Sequence, residues 1–463
     1  MLYLSRGAMN IEINAWVKRE FESLKLKSKR LTLRFLITMS LLFEHPDKSI
    51  WLAAGSRANA KAIYRLLGNE NLDWDSILSS HWDAVEQRFE GGVLLAVQDT
   101  MSVNYDTHKK TEGLGYCCEQ ALGINVHSCL LVTPDGIPIG LAAQSYITRD
   151  EPSSNELTDA QKRQRPIEEK ESYRWLETMT EVAKNAPTNA QLIHITDREG
   201  DIYELFAHAE KTGEKFIIRA IYDRIDTGGT HIIGSLRKST PIGYIKATIP
   251  ANPEKRTKER DAILSVQIIT TDMKKPQIRK KDGNLASSLH LTMIRVRETN
   301  PPKGVEPVEW LLTTNLSTKT TQDVMVVVGY YRLRWKIERF HFVLKSGCKI
   351  EGIQQRSVDR IEKMLLLYSI ISIQIMMLTF MSRAYPDMSC DLIFCESEWK
   401  TLYRAANKTN QDPDKPYSLA DAIKYVAKLG GFVGAKSDGP PGLKVIWIGL
   451  MNFYLLMAYR EYI

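Results

Sequence analysis

The sequence has little with which to build a disulfide framework or a zinc site. Its six cysteines (Cys117, Cys118, Cys129, Cys348, Cys390 and Cys395) form no C-x-x-C pair, and no histidine cluster has zinc-finger spacing. This excludes the small, disulfide-stapled secreted class and reads as free or buried thiols in a reducing cytosol of bacterial type. The opening stretch, MLYLSRGAMNIEIN, lacks the apolar core of a signal peptide. There is no internal repeat. Long uncharged runs are scarce: only Met364 to Met381 (MLLLYSIISIQIMMLTFM) approaches the length of a membrane span. Ser369, Ser372, Gln374 and Thr379 interrupt it, and no other segment resembles it. It reads as a buried core helix, with a membrane helix as the alternative.

What is present is a chain of 463 residues, long enough for about three domains. With 43% hydrophobic and 25% charged residues it is an ordinary globular composition. A net charge of +7 permits a nucleic-acid partner without requiring one. The placement of the charge says more. Val17 to Arg34 holds Lys18, Arg19, Lys25, Lys27, Lys29, Arg30 and Arg34 against Glu20 and Glu22. Arg57, Lys61 and Arg65 add a second basic strip at i, i+4 and i+8. Either could be a merely solvated face. Their density favours DNA contact.

Residues 16–89 read as helical, with apolar residues at helical spacing. After Gly91 the texture changes. Val93 to Gln98 is a short buried strand ending at Asp99; His127 to Thr133 and Ile137 to Ser145 follow as strands about a Pro134-Asp135-Gly136 turn. A polar stretch from Asn155 turns helical towards Lys184. Gln191 to Thr196 is a buried strand ending at Asp197, followed by a helix over Ile202 to Lys211 and a strand over Phe216 to Ala220. From about 223 to 310 the chain is strand-rich, and Lys255 to Arg297 carries eleven Lys and Arg against four Asp and Glu. Trp310 to Thr314 returns to a buried strand, and the chain is helical from Thr321 onward. The pattern predicts an α/β core with a β-rich insertion, flanked by two helical regions.

Asp99 and Asp197 thus each stand at the end of a buried strand, where open α/β sheets bind ligands. Two such carboxylates on neighbouring strands can share hard cations; alternatively each only caps a turn or helix. Tyr331 to Lys349 (YRLRWKIERFHFVLKSGCK) reads as one helix carrying Arg332, Arg334, Lys336, Arg339, Lys345 and Lys349 and a single acid, Glu338. Spacings of 3, 4 and 7 put Tyr331, Arg334, Glu338 and Lys345 on one face. Ile337, Phe340, His341 and Leu344 lie on another, suited to a core. Glu338 could be a plain ion-pair partner of Arg334. A basic helix presenting one acid beside a metal is also what phosphodiester chemistry needs.

The Tyr-x2-Arg-x3-Glu-x6-Lys run of Tyr331, Arg334, Glu338 and Lys345, with Trp335, Ile337 and Phe340-His341, resembles the signature of the cut-and-paste DDE transposases of the transposon-five type, in the insertion-sequence-four family. Asp197-Arg198-Glu199 followed by Asp201-Ile202 resembles that family's second-aspartate motif, and Asp99-Thr100 with Ser102 the first. Asn300-Pro301-Pro302-Lys303-Gly304 with Trp310-Leu311-Leu312 looks like the stretch before the signature helix. Tyr64-Arg65 with Asn69 resembles the family's N-terminal DNA-binding domain, and Leu429-Gly430-Gly431-Phe432 its C-terminal dimerisation region.

The resemblance implies a ribonuclease-H-like catalytic core at 90–380 with a β-insertion at about 223–310, a helical DNA-end-binding domain at 1–89 and a helical dimerisation region at 381–463. It implies that Asp99, Asp197 and Glu338 hold two Mg2+ ions, with Mn2+ as a substitute, and cut DNA first with water and then with a DNA 3′-hydroxyl, through a hairpin. Trp310 matches the residue that stacks a displaced base. Arg219, Tyr331, Arg334, Trp335 and Lys345 match DNA contacts, and Lys27, Arg30 and Arg65 are the expected N-terminal contacts. The expected partners are transposon-end and target duplexes, bound by a homodimer on paired ends in a bacterial cytoplasm, at the nucleoid and not in a membrane. A nuclease of the same fold that cuts without joining, and a non-catalytic DNA-binding regulator derived from such an enzyme, are the alternatives.

Overall fold

The computed structural model describes residues 13–118, 120–149, 158, 161, 165–249, 258–279, 283–435 and 438–459. The opening stretch read against a signal peptide, most of the polar run after Asn155 and part of the basic run after Lys255 lie outside them.

Five helices open the described chain: α1 (Ala15–Glu20), α2 (Lys29–Glu44), α3 (Ile50–Ala53), α4 (Arg57–Leu67) and α5 (Trp74–Arg88). Each begins where a side-chain oxygen caps a free backbone N–H: Asn14, Ser28, Ser49, Ser56 and Asp73 in turn. Helix α4 buries Ala60, Ile63, Leu66 and Leu67 and leaves Arg57, Lys61 and Arg65 exposed, so the basic strip is its outer face. A buried ionic triad ties α1 to α5: Glu20 is paired with Arg88 and lies 2.5 Å from His81.

A single sheet then runs through the middle of the molecule. Its strands are β1 (Gly92–Asn104), β2 (Gly115–Tyr116), β3 (Leu122–Val132), β4 (Pro138–Ile147), β5 (Ala190–Thr196), β6 (Lys215–Arg219), β7 (Gly243–Ile249), β8 (Arg260–Lys274), β9 (Ser288–Glu298) and β10 (Glu309–Thr314). The order is β2-β3-β1-β5-β6-β10-β9-β8-β7, with β4 also paired to β3. Among the described strand pairs, β1–β5 and β5–β6 are the parallel ones. The crossover from β4 to β5 carries α6 (Arg174–Asn185), and that from β5 to β6 carries α7 (Tyr203–Thr212). The β-rich stretch is no separate layer. Strand β10 pairs with both β6 and β9, so β7, β8 and β9 extend the core sheet, with α8 (Ile232–Lys238) packed alongside.

Two expectations need correction. Strand β1 does not stop at Asp99: Met101 and Val103 remain buried while Ser102 and Asn104 are exposed, so the alternation of a half-buried strand carries it to Asn104. Nor is Tyr331 to Lys349 one helix. Helix α9 (Thr321–Arg332) ends first, and α10 (Trp335–Phe342) starts after a tightened turn in which Leu333 and Arg334 donate to the carbonyls three residues back. A π-turn over Val343–Gly347 follows, closed by Cys348 N–H on Val343 O at 2.9 Å.

Helix α11 (Val358–Ala384) contains the long uncharged run, and 89% of its most apolar window is buried within the protein. The core-helix reading accounts for it: Gln144 and Ser369 hydrogen-bond at 2.9 Å from β4 to α11, and Ser369 and Thr379 satisfy their hydroxyls on carbonyls one turn back. Helices α12 (Glu396–Asn407), α13 (Leu419–Leu429) and α14 (Leu443–Tyr459) complete the described chain. The last two touch backbone to backbone. A Cβ on Gly430 would lie 1.9 Å from Val445 O, and one on Gly449 1.9 Å from Val426 O, so both positions require glycine.

Candidate active site

The parallel register of β1 and β5 sets Val97 opposite Ile195; carried forward two residues, it sets Asp99 beside Asp197. Both carboxylates are oriented by backbone amides. Thr100 N–H donates to Asp99 Oδ1 at 2.8 Å and Glu199 N–H to Asp197 Oδ1 at 2.9 Å. The turn after Asp197 is tight enough that a Cβ on Gly200 would come within 2.1 Å of Thr196 Oγ1.

Glu338, in the first turn of α10, reaches the same place through Arg334. That guanidinium pairs with Glu338 and lies 3.6 Å from Asp99 Oδ2. The charges of Arg334 and Arg219 both act on the Tyr331 hydroxyl, so the two segments of the broken signature helix still converge. Burial raises the Tyr331 hydroxyl, and the two guanidiniums temper that rise. The Asp99 carboxyl is pushed up to about 7, first by burial and then by the charge of Asp197, with Glu338 adding to it; Thr100 N–H and Arg334 offset only part.

Among the described residues no group of three or more His, Cys, Asp and Glu is close enough to hold a metal ion as it stands. Arg334 explains the gap, because its guanidinium stands between Asp99 and Glu338 as the local counter-charge. The donor set is nonetheless all carboxylate oxygen, which suits a hard divalent cation. The elevated Asp99 reflects burial first and the nearby charge of Asp197 second. In donor chemistry these residues fit such an ion.

The other sequence-derived residues divide. Arg219 ends β6 beside β5, is half-buried and donates to Glu309 O at 3.3 Å. Trp310 is partly buried and meets Tyr331 edge-on at 5.9 Å, so its ring borders the site. Trp335 is 52% exposed. Lys345, on the π-turn, pairs instead with Glu351 at 3.2 Å. Lys27, Arg30 and Arg65 are exposed, Lys27 in the connection between α1 and α2, Arg30 on α2 and Arg65 on α4; Lys27 reaches Asn71 at 3.3 Å.

Sequence reasoning missed Arg174. From the start of α6 its guanidinium donates to Thr100 Oγ1 at 3.1 Å and to Glu199 Oε2 at 2.6 Å. It therefore ties the residue after Asp99 to the residue whose amide holds Asp197. His127 Nδ1 also meets Thr100 Oγ1, at 2.8 Å. Burial lowers His127 and His341 to about 3, keeping both neutral beside the guanidiniums. No local pattern announces Arg174; the only signal was the pair of polar neighbours, Thr100 and Glu199, that it joins.

Three family models match the chain: Transposase DNA-binding over residues 13–72, Transposase DDE domain over 177–373 and Transposase Tn5 dimerisation domain over 370–462. The second spans Asp197 and Glu338 but begins beyond Asp99. Among solved structures, the cryo-EM structure of piggyBac transposase synaptic complex with hairpin DNA is 10% identical, with 80% of this chain and 71% of that one covered and a TM-score of 0.36.

Proposed function

Since the chain belongs to the DDE transposases of the Tn5/IS4 type, we propose that Asp99, Asp197 and Glu338 are its catalytic carboxylates. The family makes it a DNA transposase with a ribonuclease-H-like core, a metal-dependent DNA-cleaving and strand-transferring enzyme that binds DNA and dimerises. The observation that supports the residue assignment is the side-by-side register of Asp99 and Asp197 with Glu338 joined to them through Arg334.

In this reading the three carboxylates hold two Mg2+ ions, with Mn2+ as a substitute. When bound, such ions activate the attacking oxygen and stabilise the leaving one in an in-line displacement. The chain's own residues do the rest. Arg174 keeps the two aspartates at a fixed separation. Arg334 leaves Glu338 for a DNA phosphate, joined by Arg219, Tyr331 and Lys345, and these contacts orient the scissile strand. Water is the first nucleophile and a DNA 3′-hydroxyl the second, so no covalent bond to the enzyme forms. The 3′-hydroxyl first attacks the opposite strand, forming a hairpin that is opened before insertion. Trp310 receives the base displaced in that step, and Trp335 contacts the same DNA.

Exposed Lys27, Arg30 and Arg65 hold the transposon end. A symmetric homodimer through residues 381–463 pairs the two ends, each cut and joined in concert. The setting is a bacterial cytoplasm, at the nucleoid. Domain limits of 1–89, 90–380 and 381–463 follow the same reading.

The test is incubation of the purified chain and Mg2+ with DNA carrying the native element ends. Nicking, hairpins and joined products are expected. Cutting without joining would make the protein a nuclease. Trp310→Ala is expected to slow the hairpin step roughly 10- to 100-fold, with little effect on nicking and relief by an abasic site at the displaced position. Equal slowing of both steps, unrelieved, would make Trp310 a core residue.

A further inference from the structure

Asp201 stands four residues beyond Asp197, and its side chain is fully buried, yet it takes no part in the carboxylate cluster. Its Oδ2 accepts from the backbone N–H groups of Ile221 at 2.7 Å and Tyr222 at 3.0 Å, and its Oδ1 pairs with Arg224. Arg224 donates a second time, to Asp201 O at 2.9 Å. All of its charge-assisted bonding therefore pins one loop, residues 220–224, directly after Arg219.

That loop presents two large apolar side chains to solvent. Ile221 is about half exposed and Tyr222 is 61% exposed. The Tyr222 ring is not loose. The Arg224 guanidinium carbon lies 5.3 Å from its centroid and 5.3 Å from that of buried Phe206. Phe206, Arg224 and Tyr222 thus form a cation–π cluster that runs from a buried ring, through a guanidinium locked to a buried carboxylate, to a ring that is largely exposed. An aromatic held this way loses little conformational freedom on binding a second flat ring. The cation behind it strengthens the attraction for the π-face of a base.

The position selects the ligand. Strand β10 opposes β6 with Leu312 beside Arg219; carried back two residues, Trp310 stands beside Ile221. The cluster therefore lies on the same rim as Arg219, Trp310 and the end of β5 where Asp197 stands. Asp223, the acid within the loop, caps Ile233 N–H at 2.8 Å and lies 3.6 Å from His231.

We propose that Tyr222 is a stacking platform for an unpaired nucleobase of the DNA strand at the cleavage site, distinct from the Trp310 surface. The proposal rests on the transposase-site reading, since DNA melted or cut there supplies the unpaired base.

The experiment uses the full chain and two DNAs with the element's terminal sequence: a blunt duplex end, and the same duplex with a short single-stranded flank carrying 2-aminopurine. Tyr222→Ala is expected to weaken binding of the flanked DNA about tenfold, to relieve quenching of the 2-aminopurine, and to leave blunt-end affinity and melting temperature unchanged. Tyr222→Trp restores both lost signals. Equal effects on the two DNAs, or no rescue by Trp at an unchanged melting temperature, overturn the platform. Loss of dimer assembly with DNA affinity intact would overturn it in favour of a protein contact. Absence of metal-dependent nicking by the wild-type chain would sink the transposase-site reading alone, because the binding comparison reads the platform without it.

Discussion

Glu20 and Asp99 are both carboxylates taken largely out of water, and the protein treats them in opposite ways. Burial pushes Glu20 upward, but Arg88 and His81 close on it and hold it at about 2. Burial pushes Asp99 upward too, and its neighbours Asp197 and Glu338 add to that push; Arg334 and one backbone amide leave it at about 7. A carboxylate that only fastens α1 to α5 is surrounded until its charge is neutralised. Asp99, raised first by burial and then by two neighbouring acids, is left only partly compensated, which is what the proposed cation site requires.

The comparison breaks most visibly by deletion. Asp99→Ala, Asp197→Ala and Glu338→Ala are each expected to drop cleavage to background while DNA-end binding, which rests on dispersed Lys and Arg, persists. Near-normal cleavage by any one of them removes that residue from the site. Glu20→Ala is the reverse case. It strands Arg88 and His81 and is expected to cost about 3–5 kcal/mol of stability, read as a lower melting temperature, with the metal dependence of cleavage unchanged at a permissive temperature. An unaltered melting temperature would make the triad incidental.

A finer cut leaves every carboxylate in place. Arg174→Gln unties Asp99 from Asp197 and is expected to raise the Mg2+ needed for half-maximal cleavage by about 10- to 100-fold, with Glu199→Gln adding little on top. Additive effects of the two would show that they act separately.

The subtlest contrast is in the pH dependence of stability. In metal-free protein Asp99 keeps a proton that the unfolded chain has lost between about pH 4 and 7. Its contribution to stability therefore falls as pH rises through that window, with a slope of up to about 1.4 kcal/mol per unit. Asp99→Asn or saturating Mg2+ should flatten it. Glu20 runs the other way: its stabilisation is present above its ordinary range and is lost as pH falls towards 2. Chemical denaturation at stepped pH separates the two limbs, and an Asp99→Asn variant with the wild-type slope would refute the assignment.

Much of this was legible in the residues. Buried strands ending near Asp99 and Asp197 follow from short apolar runs, and the acid-poor signature segment singled out Glu338. What was misread is local geometry that periodicity cannot see. Thr100, Ser102 and Asn104 look like a loop, yet they are one face of a strand whose other face is Met101 and Val103. The 3- and 4-residue spacings survive a break at Leu333 because a tightened turn keeps nearly helical direction. Arg174 and the Asp201–Arg224 pairing were illegible for a different reason: their partners are 23 to 74 residues away, and only the folded sheet brings them together.

Helix α11 holds 27 residues and no glycine or proline, and the matches to the DDE domain and to the dimerisation domain overlap on it at 370–373. It is one rigid shaft common to the cutting half and the pairing half. At 1.5 Å per residue it is about 40 Å long, so each degree of tilt at one end moves the other by about 0.7 Å. The dimerisation match and the DDE match thus share one unbroken element, which Ser369 fastens to β4 of the central sheet through Gln144.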